Sequence, residues 1–208
     1  MSDPQPTPAL TAEFWEGRYQ DGTDRWDLGQ PAPPFVSLLQ SPQAPAPGRI
    51  AVLGSGRGHD ALLFAQHGFE VVGFDFAPSA IVAARAAAQE RGLSAQFLQR
   101  DMFELDAEFA HQFDYVLEHT CFCAILPEQR GDYVRLVQNL LRPAGELIGL
   151  FWTHDRAGGP PFGVSVTELY QQFQPEFEVV LLERATNSVE GRRNEEYLVR
   201  LRMKVQQS

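Results

Sequence analysis

The chain has 208 residues, a length that suits one domain with a full core. Apolar residues make up 44% and charged residues 21%, the balance of a globular enzyme, and a formal charge of -10 argues against nucleic acid or an anionic membrane as partner. No apolar run approaches the roughly 20 residues of a membrane span, the Pro-rich segment 1–9 lacks a signal peptide's order, and Cys121 and Cys123 are too close for an unstrained disulfide and too few for zinc. Reduced thiols, a cytoplasmic setting and no metal are therefore expected.

Residues 1–10 read as a disordered tail, and 11–208 as one domain. Within it, 11–48 form a lid and connector and 49–208 a core. A short helix over 11–19 has Thr11 as its N-cap and ends at Asp21-Gly22. Trp26-Asp27-Leu28-Gly29 is a loop, 35–39 begins another helix after Pro31, Pro33 and Pro34, and 41–48 is a Pro-rich connector. From Ile50 strands and helices alternate: strand 50–53, helix 58–66, strand 70–74, helix 78–91, then strands 96–99 and 113–117. A helix over 128–141 and a strand over 146–152 follow. Ser165-Val166-Thr167-Glu168 is a capping box that opens a helix to 173. Strands over 179–182 and 197–203 close the chain. Such alternation predicts an α/β fold with a mostly parallel sheet covered on both faces. The last two strands, separated only by a loop, should pair antiparallel.

The most informative stretch is Ile50-Ala51-Val52-Leu53, which runs directly into Gly54, Gly56 and Gly58. A buried strand, a tight turn and a helix start let backbone approach a nucleoside-containing ligand closely. Dinucleotide sites carry G-x-G-x-x-G, but His59 stands where the third glycine belongs. Asp75 lies 21 positions after Gly54, where a carboxylate accepts ribose hydroxyls. Asp101 ends the third strand, within reach of an adenine amino group or, alternatively, as a helix N-cap. The three together point to S-adenosylmethionine.

Other residues have plainer readings. Glu118, at the carboxyl edge of the fourth strand, either touches the cofactor or faces solvent. Cys121 and Cys123 read as small packing residues. His111, His119 and His154 have no metal spacing. Arg130 and Tyr133 share a helix face as a structural pair, with Tyr133 possible at the pocket's border. The run 190–196 reads as a solvated hairpin loop or, alternatively, as one whose arginines approach an anionic substrate.

The chain resembles the thiopurine S-methyltransferase family, especially its halide, thiocyanate and thiol methyltransferase branch. The matching segments include Phe14-Trp15-Glu16, Trp26-Asp27-Leu28-Gly29, Arg100-Asp101-Met102-Phe103, Cys121-Phe122-Cys123-Ala124-Ile125, Pro127-Glu128-Gln129-Arg130 and Gly158-Gly159-Pro160-Pro161-Phe162. The resemblance implies a Rossmann-like class I methyltransferase: seven strands, one antiparallel, helices on both faces and an N-terminal helical lid. It implies that Trp15, Tyr19 and Trp26 close over the cofactor. Gly54, Ser55 and Gly56 would line its loop, Asp75 and Phe76 would border the ribose, Asp101 and Met102 would flank adenine, and Glu118 would lie beside them. His119 stands where thiopurine enzymes place an arginine.

Such an enzyme needs little covalent machinery. It must hold a soft nucleophile in line with an activated methyl group and keep water away. Phe14, Phe122, Trp152 and Phe162 are the expected substrate pocket. His119 is the candidate catalytic group, accepting a thiol proton or donating to an anion. The expected activity is methyl transfer from S-adenosylmethionine, leaving S-adenosylhomocysteine, to a small-molecule thiol, thiocyanate or halide by a monomer. A non-catalytic S-adenosylmethionine binder and a nicotinamide-dependent oxidoreductase are the alternatives.

Overall fold

Successive side chains of a strand point to opposite faces of its sheet, and the first strand shows what each face carries. The structure is a computed structural model that describes residues 9–205. In β1 (Arg49–Leu53), Ile50 and Val52 enter one apolar cluster, and Ala51 and Leu53 enter another. Both faces of the sheet are therefore covered. The first is packed by α2 (Pro33–Leu39), α3 (His59–Gln66) and α4 (Pro78–Glu90), and the second by α5 (Asp106–Phe109), α6 (Arg130–Leu140) and α7 (Val166–Phe173). Fully buried Phe35, Phe64 and Phe97 anchor the first face; Phe74, Phe113 and Phe151 anchor the second. Each such ring contributes about 1.5–3 kcal/mol by leaving water.

The remaining strands are β2 (Glu70–Asp75), β3 (Ala95–Gln99), β4 (Phe113–His119), β5 (Leu141–Trp152), β6 (Phe177–Arg184) and β7 (Glu196–Met203). Their order is β3-β2-β1-β4-β5-β7-β6. Only β7 runs antiparallel to its neighbours, Leu150 facing Leu198 on one side and Leu182 facing Val199 on the other. This is the seven-stranded sheet with one antiparallel strand that the sequence led us to expect.

Local chemistry explains the helix starts. Thr11 accepts the Phe14 N–H before α1 (Ala12–Gln20), and Ser165 and Glu168 cap α7 reciprocally. Two boundaries differ from expectation. Residues Pro127–Gln129 form a separate 3-10 turn, so α6 begins at Arg130. Strand β5 begins at Leu141 rather than 146, because Phe113 pairs with Leu141 before a register shift carries Tyr115 to Glu146. Ala144, with φ +62°, makes the bend. Most of the expected tail, residues 1–8, lies outside the described residues.

Candidate active site

Strands β1 and β4 are neighbours, yet the chain leaves them in opposite directions across the sheet. A crevice at the carboxyl ends of such strands is where ligands bind in open α/β sheets. Here it opens into a cavity of about 490 Å³.

Gly54 forms part of its wall with φ +58°, and a Cβ there would stand 3.2 Å from Cys121 Sγ. The bare backbone is thus required by both conformation and space. At the end of β2, Asp75 accepts the Gly56 N–H at 2.8 Å through Oδ2 and the Ala77 N–H at 2.9 Å through Oδ1. Burial raises its proton affinity above the usual carboxylate range, against the pull of those amides. Two carboxylate oxygens carry about four acceptor sites, so capacity remains for a ligand hydroxyl.

The mouth is covered by α1 and the loop after it. Trp15, Tyr19 and Trp26 line the cavity, Trp26 meeting the other two edge-to-face at 5.3 and 5.5 Å. This lid is tied down at several points. Glu16 accepts the Ser79 N–H at the start of α4. Arg57, in the glycine turn, pairs with Asp24 at 2.7 Å and Asp27 at 2.8 Å. His59 Nε2 lies 3.0 Å from Asp27, so the residue that breaks the dinucleotide pattern serves the lid instead.

The far end of the cavity carries charge. His119 ends β4, its Nδ1 2.6 Å from Asp60 Oδ2 and its Nε2 2.9 Å from Arg192 Nη1. Arg192 also donates to the Trp26 carbonyl at 3.0 Å, pairs with Glu196 at 3.3 Å and lies 4.9 Å over the Trp152 ring. Two N–H groups cannot point at each other across 2.9 Å, so in this arrangement the ring donates from Nδ1 to Asp60 and is neutral at Nε2. Its proton affinity is nevertheless high. Burial lowers it, but Asp60 and Glu196 outweigh that loss and the Arg192 charge, and bring the pKa up to about 9. Glu196 Oε1, 3.8 Å from Nε2, is the carboxylate on that side of the ring.

Behind this cluster Glu118 is buried within the protein. Its Oε1 accepts the Cys121 and Phe122 N–H groups at 3.1 and 3.0 Å, and its Oε2 accepts the Tyr133 hydroxyl at 2.6 Å. This carboxylate holds the turn that brings His119, Thr120, Cys121 and Cys123 to the cavity wall. Thr120 adopts φ +59°, a conformation that is strained for a β-branched residue. Both cysteines are free, and burial pushes the Cys123 thiol up to about 12. Such a thiol is a poor nucleophile at neutral pH.

The cavity brings together Trp15, Tyr19, Trp26, Gly54, Asp75, Phe76, Met102, His119 and Trp152 of the expected site residues. Ser55 and Gly56 border a smaller cleft on the lid side of the glycine turn. Five expected site residues do not line the cavity wall. Asp101 accepts the Phe103 N–H as an N-cap and stands outside the cavity wall. Glu118 neither faces solvent nor reaches the cavity. Phe122, 1% exposed, packs on Tyr133, Phe151 and Phe173 in the core. Phe162 belongs to a neighbouring groove, where Arg130 donates to its carbonyl; Pro160 and Pro161 line the cavity instead. Phe14 meets Trp15 edge-to-face at 5.1 Å, with the Arg18 guanidinium over its ring. Arg192, from the charged run whose first reading is a solvated loop, is 4% exposed and lines the cavity. Its partners His119 and Trp26 lie 73 and 166 residues away, and Glu196 is its one charged partner within the run.

Residues 10–208 match the sequence pattern of the family described as Thiopurine S-methyltransferase. The chain belongs to that family. Among its relatives, Thiocyanate methyltransferase 1 of Brassica oleracea is 35% identical over 193 residues, 89% of this chain and 83% of the relative. Probable thiol methyltransferase 2 of Arabidopsis thaliana is 35% identical over 157 residues, 74% of this chain and 68% of the relative. The crystal structure of Burkholderia thailandensis 1,6-didemethyltoxoflavin-N1-methyltransferase, with bound 1,6-didemethyltoxoflavin and S-adenosylhomocysteine, has a TM-score of 0.78. It covers 99% of this chain and 94% of its own at 22% identity, a likeness of fold. Among the described residues no helix is long and apolar enough to cross a membrane, and no group of three metal-ligating side chains occurs.

Proposed function

We propose that this member of the family transfers the methyl group of S-adenosylmethionine to a small soft nucleophile, a thiol or thiocyanate. The observation that carries the reading is the cavity's lining: aromatic side chains together with the Asp75 carboxylate and the Arg192–His119 cluster. Relatives named for thiocyanate and thiol acceptors support the acceptor class.

The residues fit the cofactor. Asp75 has acceptor capacity for ribose hydroxyls, Gly54 leaves a wall that a Cβ would fill, and Met102 offers an adjustable apolar surface for adenine. Trp15 and Trp26 line the cavity with electron-rich rings, which suit a cationic ligand. When bound, S-adenosylmethionine supplies a methyl group already activated by its sulfonium charge.

The chain's own task is then positioning. Arg192 attracts an anionic acceptor, which needs no base. A protonated thiol must lose its proton, and His119 Nε2 takes it in the neutral form of the ring, which a pKa of about 9 makes the populated form only at alkaline pH. Trp152, Pro160 and Ile125 exclude water, which would otherwise solvate the nucleophile. A halide is the same class of acceptor and forms one arm of the test. Lid and core enclose the cavity within one chain, so a monomer suffices, and the buried reduced cysteines suit a cytoplasmic compartment.

Calorimetric titration with S-adenosylhomocysteine and, separately, NADH tests the cofactor, with Asp75→Ala as control. Micromolar binding of the first alone, weakened at least tenfold in the variant, is expected. NADH binding alone would overturn the reading. Mass spectrometry of products from a thiol, thiocyanate and iodide then identifies the acceptor; binding with no methylated product leaves a non-catalytic binder.

A further inference from the structure

Asp60 stands in the first turn of α3, immediately after the glycine turn, and both of its oxygens are engaged. Oδ1 accepts the Ala32 backbone N–H at 2.7 Å, and Oδ2 accepts from His119 Nδ1 at 2.6 Å. Ala32 is the N-cap residue of α2 in the lid connector and is 1% exposed. His119 ends β4 at the cavity. One side chain therefore joins the lid connector, the glycine turn and the charged end of the cavity.

The other groups around the ring leave Nδ1 to Asp60. Arg192 and Glu196 approach Nε2, at 2.9 and 3.8 Å, from the turn Glu190–Arg192 and from β7. Glu118 is its neighbour on β4, and the Phe35 ring of α2 meets it edge-on at 5.8 Å. With Nδ1–H held by Asp60, the ring must turn Nε2 toward Arg192.

We propose that Asp60 is a positioning residue that makes the seating of the lid connector and the orientation of His119 a single event. The proposal rests on the reading that His119 faces the methyl acceptor. Its chemical basis is a count of acceptors. The site presents two donors, Ala32 N–H and His119 Nδ1–H, and a carboxylate accepts both. Asparagine has a single acceptor oxygen, which can face only one of these two donors. If its oxygen serves Ala32, its amide N–H faces Nδ1, and the ring proton moves to Nε2, against Arg192. If the amide is reversed, the buried Ala32 N–H loses its acceptor. A substitution of this kind in a His–carboxylate pair acts through the wrong tautomer.

The experiment is ¹⁵N NMR of the histidine side chains across pH, with S-adenosylhomocysteine present, on the full chain and on Asp60→Asn. In the unaltered protein Nδ1 should carry its proton throughout, and the ring should titrate above the ordinary histidine range. In the variant the titration should move down by a unit or more, and kcat with a protonated thiol should fall at least tenfold. A variant whose His119 titrates as in the unaltered protein overturns the proposal, and so does a shifted titration with unchanged kcat. Should the variant not fold, the unaltered protein decides: the His119 Nδ1–H resonance must respond when S-adenosylhomocysteine is added, and an unmoved resonance overturns the link to the lid. If the unaltered protein methylates no acceptor, the functional reading fails, while the NMR titration still reports whether Asp60 sets the ring.

Discussion

Replacing Tyr133 by Phe should destabilise this protein far more than the loss of one hydroxyl suggests. The Tyr133 hydroxyl donates at 2.6 Å to Glu118 Oε2, and both side chains are buried, Tyr133 at 0% and Glu118 at 1% exposure. The two other donors to Glu118, the Cys121 and Phe122 amides, both reach Oε1. Tyr133→Phe therefore leaves Oε2 of a buried carboxylate with no donor. A hydrogen bond to a charged group contributes about 1.5–3 kcal/mol, and an orphaned buried acceptor costs about 1–3 kcal/mol. These overlap, so a loss of about 2–4 kcal/mol is expected. For a domain of this size each kcal/mol lowers Tm by about 2–4 °C, giving a fall of about 4–16 °C. Thermal and urea unfolding of Tyr133→Phe, Glu118→Gln and the double variant form the assay. Glutamine removes the charge, so the double variant should lose at least about 1 kcal/mol less than the two single losses added together. Burial already raises the Glu118 proton affinity, so Tyr133→Phe should be least damaging at low pH, where the carboxyl is protonated. A Tyr133→Phe protein within about 1 kcal/mol of the original at neutral pH, and additive with Glu118→Gln, would refute the account of Glu118 as the anchor of the 119–123 turn.

Two further outcomes follow from the same turn. Thr120 holds φ +59°, which costs a non-glycine residue about 1–2 kcal/mol, and its hydroxyl donates to the His119 carbonyl at 2.7 Å. Thr120→Gly should match or exceed the original in Tm, whereas Thr120→Ala, which keeps the strain and loses the bond, should fall by about 1 kcal/mol; equal stability of the two variants contradicts the strain argument. His119 titrates near 9 in the folded protein against about 6.5 unfolded, so its proton-linked stability is full below about 6.5 and is lost as pH rises through 9. The stability difference between the protein and His119→Gln should therefore shrink by about 1–3 kcal/mol between pH 6.5 and 9.5, and a constant difference in urea unfolding contradicts the assignment.

Sequence alone determined the parts of this protein that rest on local chemistry. The continuous apolar run of β1, the capping box at Ser165 and the prolines at helix starts each act within a few residues, so strands, helices and fold class were legible. The glycine turn and Asp75 were legible for the same reason: a left-handed backbone and a carboxylate at a strand end are demands of one short segment. The family segments added the lid tryptophans. Tertiary structure decided which aromatic rings face the cavity and which fill the core. Phe122 and Trp152 look alike in sequence, but a strand end and a buried turn aim them to different places. It also decided the charged end of the site. Arg192, His119, Asp60 and Glu196 come from four separate elements, and apart from the Arg192–Glu196 pair, four residues apart, nothing in the residues around any one of them announces the others. Their burial is tolerable only because they meet, since an isolated charge in that place would cost several kcal/mol.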